Sequence, residues 1–105
     1  MATPVVPTAC CPELQKALNP RLFHALADQT RLILLMRLVA AQGPQTVTEL
    51  ADCCGVHLSG VSRHLAMLRE AEILDAQKQG REVRYSLRRT QLSSTLRLIA
   101  DAVEA

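Results

Sequence analysis

Apolar positions recur at helical spacing from residue 12 onward. Leu14, Leu18, Leu22, Phe23 and Leu26 mark a helical stretch over about 12–27, opened by Pro12. Pro20 cannot donate into the preceding turn, so a short helix, a kink at Asn19 and Pro20, and a longer piece are expected. Asp28 suits the N-cap of a second helix over about 29–41, whose Leu32, Leu35, Met36 and Val39 share helical spacing; Gly43 and Pro44 end it. Thr46-Val47-Thr48-Glu49 reads as a capping box, in which the Thr46 hydroxyl accepts the Glu49 amide and the Glu49 side chain reaches back. The helix so opened is stopped by Gly55 and carries Val47, Leu50, Ala51 and Cys54 on one face. After a tight turn at Gly55-Val56-His57, a helix over 58–70 turns Val61, Leu65 and Leu68 inward. Its outward face is Ser59, Gly60, Ser62 and Arg63, with His64 toward the flank. From Ile73 the period changes to two. Glu82-Val83-Arg84-Tyr85-Ser86-Leu87 alternates as a half-buried strand, with 73–77 as its antiparallel partner and 78–81 as the turn, where Gly80 is free to take positive φ. A last helix over about 90–104 carries Leu92, Thr95, Leu96, Ile99 and Val103 on one stripe, with Leu98 and Ala102 beside it.

The order α-α-α-α-β-β-α predicts a mainly α fold with a small β-hairpin, a winged helix-turn-helix. The 105 residues leave room for one domain, over 12–105, preceded by a flexible N-terminal arm at 1–11 that contains Pro4 and Pro7. Apolar residues at 49% exclude disorder throughout, and aromatics at 2% require an aliphatic core. No apolar run approaches the roughly 18 residues of a membrane span, and no basic segment leads into an apolar stretch at the N-terminus. A cytoplasmic protein with no membrane contact is expected. A domain this short buries a modest share of its surface. The apolar last helix has little core left to cover, so it and the first helix are expected to form a homodimer interface.

The formal net charge is only +2, yet Lys78, Arg81, Arg84, Arg88 and Arg89 stand close together against the single Glu82. Such local basic density points to a polyanion. A helix of about thirteen residues fits the major groove, and short polar side chains near its N-terminus permit close approach. The candidate contacts to double-stranded operator DNA are therefore His57, Ser59, Gly60, Ser62, Arg63 and His64, with Lys78, Arg81 and Arg84 of the hairpin meeting phosphate or the minor groove. A winged helix that binds only protein is the alternative. No Ser-His-Asp arrangement, Gly-rich phosphate loop or pair of pocketed carboxylates is present, so the chain is not expected to be an enzyme.

Four stretches resemble the ArsR/SmtB family: Ala25-Leu26-Ala27-Asp28-Gln29-Thr30-Arg31-Leu32, Thr48-Glu49-Leu50-Ala51, Val61-Ser62-Arg63-His64-Leu65-Ala66-Met67-Leu68-Arg69-Glu70-Ala71, and Gly80-Arg81-Glu82-Val83-Arg84-Tyr85-Ser86-Leu87. The resemblance covers about residues 12–103. It implies a small homodimeric winged-helix repressor whose apo form binds an operator near a promoter. An inducer then loosens it, usually a metal ion or metalloid, sometimes an oxidant or a sulfur species.

The cysteines, Cys10, Cys11, Cys53 and Cys54, form two vicinal pairs. A disulfide staple is not expected in a cytosolic domain with a workable core, and neither pair has the C-x₂-C form of a structural zinc site. Adjacent residues on a helix point roughly 100° apart, so one pair chelates poorly alone. Soft thiolates select As(III), Sb(III), Cd(II), Pb(II) or Hg(II) over hard ions. The family's Cys-x-Cys site in the helix before recognition corresponds here to Thr46 and Thr48, and its site on the last helix needs His, which 90–105 lacks. The Cys10 and Cys11 pair resembles one in some arsenic-responsive members. A trigonal As(III) site formed by Cys10 and Cys11 of one subunit with Cys53 or Cys54 of either is one reading. Cys54 also fits a small core residue, and Cys53 with Cys54 also fits a thiol-redox sensor. No cofactor is required. His24 is expected to be structural or interfacial.

Overall fold

The computed structural model describes residues 12–52 and 58–105; side-chain placement is described from residue 60 onward in the second segment. Residues 1–11 and 53–57, with the expected arm, the expected turn, all four cysteines and His57, lie outside the described residues.

Helix α1, Pro12–Ala17, and helix α2, Pro20–Leu26, are separate elements, because Pro20 starts a new helix at its first turn and Asn19 caps it, the Asn19 Oδ1 accepting the Arg21 amide at 2.9 Å. Helix α3, Gln29–Ala40, is capped by Asp28, whose carboxylate accepts the Arg31 amide at 3.0 Å. Strand β1, Gln45–Thr46, leads into helix α4, Val47–Ala51. The capping box forms as expected: the Glu49 amide donates to Thr46 Oγ1 at 3.2 Å and the Thr46 amide to Glu49 Oε1 at 3.3 Å. Helix α5, Leu58–Glu70, is followed by strands β2, Leu74–Gln79, and β3, Glu82–Leu87, and by helix α6, Arg89–Glu104.

Helix α5 ends in a Schellman motif. The Ile73 amide donates to the Leu68 carbonyl at 3.0 Å and the Glu72 amide to the Arg69 carbonyl at 2.9 Å, with Glu72 at φ +63° where glycine is usual. Leu68 and Ile73, both buried, close the motif with their apolar contact. The sheet order is β1-β3-β2, all antiparallel, with Leu74 opposite Leu87 and Gln79 opposite Glu82. The hairpin turn is tighter than the four residues the sequence indicated: Gly80 and Arg81 alone form it, with Gly80 at φ +64°. The third strand, β1, was not foreseen; Gln45 pairs with Tyr85 and Thr46 with Arg84.

The core is aliphatic. Leu34, Leu38, Leu50, Val61, Leu65, Leu68, Ile73 and Leu74 are fully buried. Of the four apolar positions of α3 noted for their helical spacing, Leu35 packs against this core. Leu34 and Leu38 point inward together with Arg31, while Leu32, Met36 and Val39 are exposed. At its far end α3 is closed from a distance: one nitrogen of the Arg89 guanidinium donates to the carbonyls of Leu38, Val39 and Ala41 at 3.0, 3.1 and 3.1 Å. Helix α6 packs on α1, yet no residue of α6 is buried within the single chain. Among the described residues, no helix is long and apolar enough to cross a membrane.

Candidate nucleic-acid interface

Helix α5 keeps one apolar stripe and one polar face. Val61, Leu65 and Leu68 are buried at i, i+4 and i+7, which forces Ser62 and Arg63 to the surface, while Gly60 and His64 are half-buried at the edge. The side chain of Ser59 falls outside the description. Short helix α4 packs against α5 and also against β1 and β3 of the sheet. A groove of about 590 Å³ runs between α4, α5 and β3, lined by Thr46, Thr48, Ser62, Arg81 and Tyr85 among others. Thr46 and Thr48 both line this groove, and the Thr46 hydroxyl is engaged in the capping box with Glu49.

The basic segment divides into structural and free cations. Arg88 pairs with Asp75 at 3.7 Å, and Arg89 serves as the distant cap of α3. Arg84 is braced between Glu82 at 3.2 Å and Glu49 at 4.0 Å, so its charge is offset on both sides. Among the described residues, Arg63, Lys78 and Arg81 pair with no carboxylate and stand exposed on α5 and at the hairpin tip. Of the nine candidate DNA contacts, the structure therefore brings Ser62, Arg63, Lys78 and Arg81 to the surface, engages Arg84 in ion pairs, and places Gly60 and His64 on the flank; His57 and the Ser59 side chain are not described. Among the described residues, no group of three His, Cys, Asp or Glu side chains comes together as a metal site.

A buried Arg31 was not foreseen. Its guanidinium reaches from α3 to α2 and α5, and it shares a helical face with Leu34 and Leu38, a face that spacing alone does not mark as the inner one. Asp28 lies beside it. The Arg31 amide donating to the Asp28 carboxylate holds that group below its usual range, partly opposed by burial and aided by the guanidinium charge. A carboxyl lowered on folding adds stability above its ordinary value, and that stability drains away as pH falls through the lowered one. Asp28→Asn, which retains capping ability, is expected to flatten the fall in urea midpoint below about pH 4 while leaving the neutral-pH midpoint close to wild type. A wild-type acid slope in the variant would show that Asp28 does not contribute to it.

Known proteins share this arrangement. A family model described as a helix-turn-helix domain matches residues 26–76. The HTH-type transcriptional regulator CmtR of Mycobacterium tuberculosis is 36% identical over 93 residues, covering 89% of this chain and 77% of that protein. A crystal structure of an ArsR family transcriptional regulator superposes with a TM-score of 0.67 at 30% identity, covering 90% of this chain and 91% of that one. The chain belongs to the ArsR family of winged helix-turn-helix transcriptional regulators. The arsenical resistance operon repressor of Escherichia coli is 40% identical over 67 residues, covering 64% of this chain and 56% of that protein. The chain spans little more than half the length of three curated relatives it matches, 52% to 59%. The helix-turn-helix match runs from the end of α2 into β2, and the ArsR-family structure extends the likeness to most of the chain.

Proposed function

We propose that this ArsR-family chain is a cytoplasmic, homodimeric repressor that binds operator DNA through residues 12–105 and is released by a soft thiophilic ion, with As(III) and Sb(III) favoured and Cd(II), Pb(II) and Hg(II) as further candidates. The observation that carries the DNA reading is the face of α5: Ser62 and Arg63 outward over a fully buried Val61, Leu65 and Leu68, with Lys78 and Arg81 exposed at the hairpin tip and without a carboxylate partner among the described residues. A polar, cationic helix face beside a cationic hairpin suits a groove flanked by phosphates. Dimerisation is supported by α6, a sixteen-residue helix with nothing buried in the single chain and with Leu96 and Val103 exposed.

The inducer reading rests on two facts. Four thiols, Cys10, Cys11, Cys53 and Cys54, stand in two vicinal pairs, the second directly before the recognition helix. A relative at 40% identity is an arsenical resistance operon repressor. Three thiolates bind trivalent arsenic, so Cys10 and Cys11 of one subunit with Cys53 or Cys54 form the proposed set. Tying the arm to the turn before α5 would shift the dimer to a geometry that misfits the duplex.

The test is anaerobic fluorescence anisotropy with the chain's own upstream DNA, at several salt concentrations, with arsenite, antimonite, cadmium, lead, mercury and, separately, peroxide. Affinity is expected to fall steeply with salt. Arg63→Ala is expected to cost about 1–3 kcal/mol of operator binding, and Arg81→Ala to weaken all duplexes alike. Arsenite is expected to release DNA from wild type but not from Cys10→Ser or Cys11→Ser. Release by peroxide alone would replace the metalloid with a redox signal. Absence of binding to any duplex would end the DNA reading.

A further inference from the structure

Arg31 is the charged side chain buried among the described residues, and every arm of its guanidinium is used. Its Nε donates to the Ala25 carbonyl at 2.7 Å and Nη2 to the His24 carbonyl at 3.1 Å, closing the end of α2. Its Nη1 lies 3.3 Å from Met67 Sδ and 3.2 Å from His64 Nδ1, both on α5. A guanidinium only donates, so His64 Nδ1 is the acceptor and the ring proton sits on Nε2. The same Nδ1 lies 3.8 Å from Asp28 Oδ2, beyond hydrogen-bond reach, and can donate to that carboxylate only if it gains a proton. His64 thus has two mutually exclusive partners on α3, Arg31 for the neutral ring and Asp28 for the charged one.

We propose that His64 is a positioning residue for duplex binding: its neutral Nδ1 latches α5 to the α2–α3 junction through Arg31, and protonation exchanges that partner for Asp28 and moves the recognition helix. This rests on α5 being the helix that faces DNA. On protonation Arg31 loses an acceptor and meets a second cation, while Nδ1–H must close the gap to Asp28. Base-edge contacts tolerate little such movement. The other charged groups on elements packed against α5 do not offer a rival partner. Glu49 of α4 pairs with Arg84 and Asp75 of β2 pairs with Arg88. Arg21 and His24 of α2 line an adjoining groove with Met67 and Glu70, where the Arg21 cation and the Glu70 carboxylate stand together.

The sign separates the latch from ordinary electrostatics. Acidification charges histidines and by itself tightens phosphate binding. The latch predicts that wild-type duplex affinity falls about tenfold between about pH 8 and pH 5.5 at constant ionic strength. His64→Asn places an amide oxygen near Nδ1 that accepts from Arg31 at every pH, so its affinity is expected to stay level or tighten. Asp28→Asn removes the carboxylate that draws the charged ring, and is expected to move the wild-type loss to lower pH; it serves alone should His64→Asn not fold. Nitrogen-15 spectra of the free protein are expected to show the Nε2–H tautomer at about pH 8. Wild type tightening in parallel with His64→Asn, or an Nδ1–H tautomer, would overturn the latch. Failure of every variant and wild type to bind duplex at any pH would instead sink the DNA reading and the duplex role of His64, while the tautomer spectrum would still decide the Arg31 contact.

Discussion

Leu65→Ala is expected to cost about 2–5 kcal/mol of stability, measured as the urea midpoint at fixed protein concentration. Leu65 is completely buried at the centre of the inner stripe of α5, between Val61 and Leu68, in a core that also takes in Leu34, Leu38 and Leu50 from α3 and α4. Truncation removes the transfer energy of the side chain and leaves a cavity that rigid neighbours fill poorly. Whole domains are stable by only about 5–15 kcal/mol, so the loss is a large share of the total. The fully buried side chains around it are aliphatic, and the Tyr85 ring packs only at the edge of this core, half-buried. Ser62→Ala, on the outer face of the same helix, is expected to stay within about 0.5 kcal/mol. A cost below about 1 kcal/mol for Leu65→Ala would mean that α5 is not seated in the core as described.

The contrast between α5 and α3 shows what the sequence could convey. Helix α5 has one apolar stripe at 61, 65 and 68 and polar residues elsewhere, so periodicity alone identifies its inner face. Helix α3 has two apolar stripes, 34 and 38 on one side and 32, 36 and 39 on the other, and periodicity cannot rank them. The inner one also contains Arg31, which looks solvent-facing until its acceptors in α2 and α5 are known. Strand β1 escaped because two residues carry no measurable alternation; its existence depends on Tyr85 and Arg84 lying opposite. The positive segment over 78–89 was legible as charge, but Arg84, Arg88 and Arg89 find partners at Glu49, Asp75 and the α3 carbonyls that are distant in sequence. The capping box, by contrast, is local, and both of its hydrogen bonds were foreseen. The polar face of α5 was thus read from periodicity, while the division of the nearby cations into free and engaged needed the fold.

Leu96→Glu is expected to convert the protein to monomers and to abolish measurable operator binding. In the single chain Leu96 is 45% exposed and Val103 79% exposed, and with half-buried Ile99 they sit at i, i+3 and i+7 along α6. An apolar stripe of that length on a helix without one buried residue calls for a second surface to cover it. In a twofold interface every substitution occurs twice, so a central apolar contact worth about 2 kcal/mol on each side becomes about 4 kcal/mol of lost association, close to a thousandfold. A carboxylate placed there adds desolvation to the loss. Operator binding suffers because two recognition helices joined rigidly read two half-sites together, and separated ones do not. Sedimentation velocity gives the oligomeric state and anisotropy the affinity on the same preparation. Arg97→Glu, an exposed charge reversal adjacent on the same helix, is the control for added negative charge. If Leu96→Glu remains dimeric, the two chains do not meet through this face of α6; if it becomes monomeric yet binds operator as before, pairing does not set affinity.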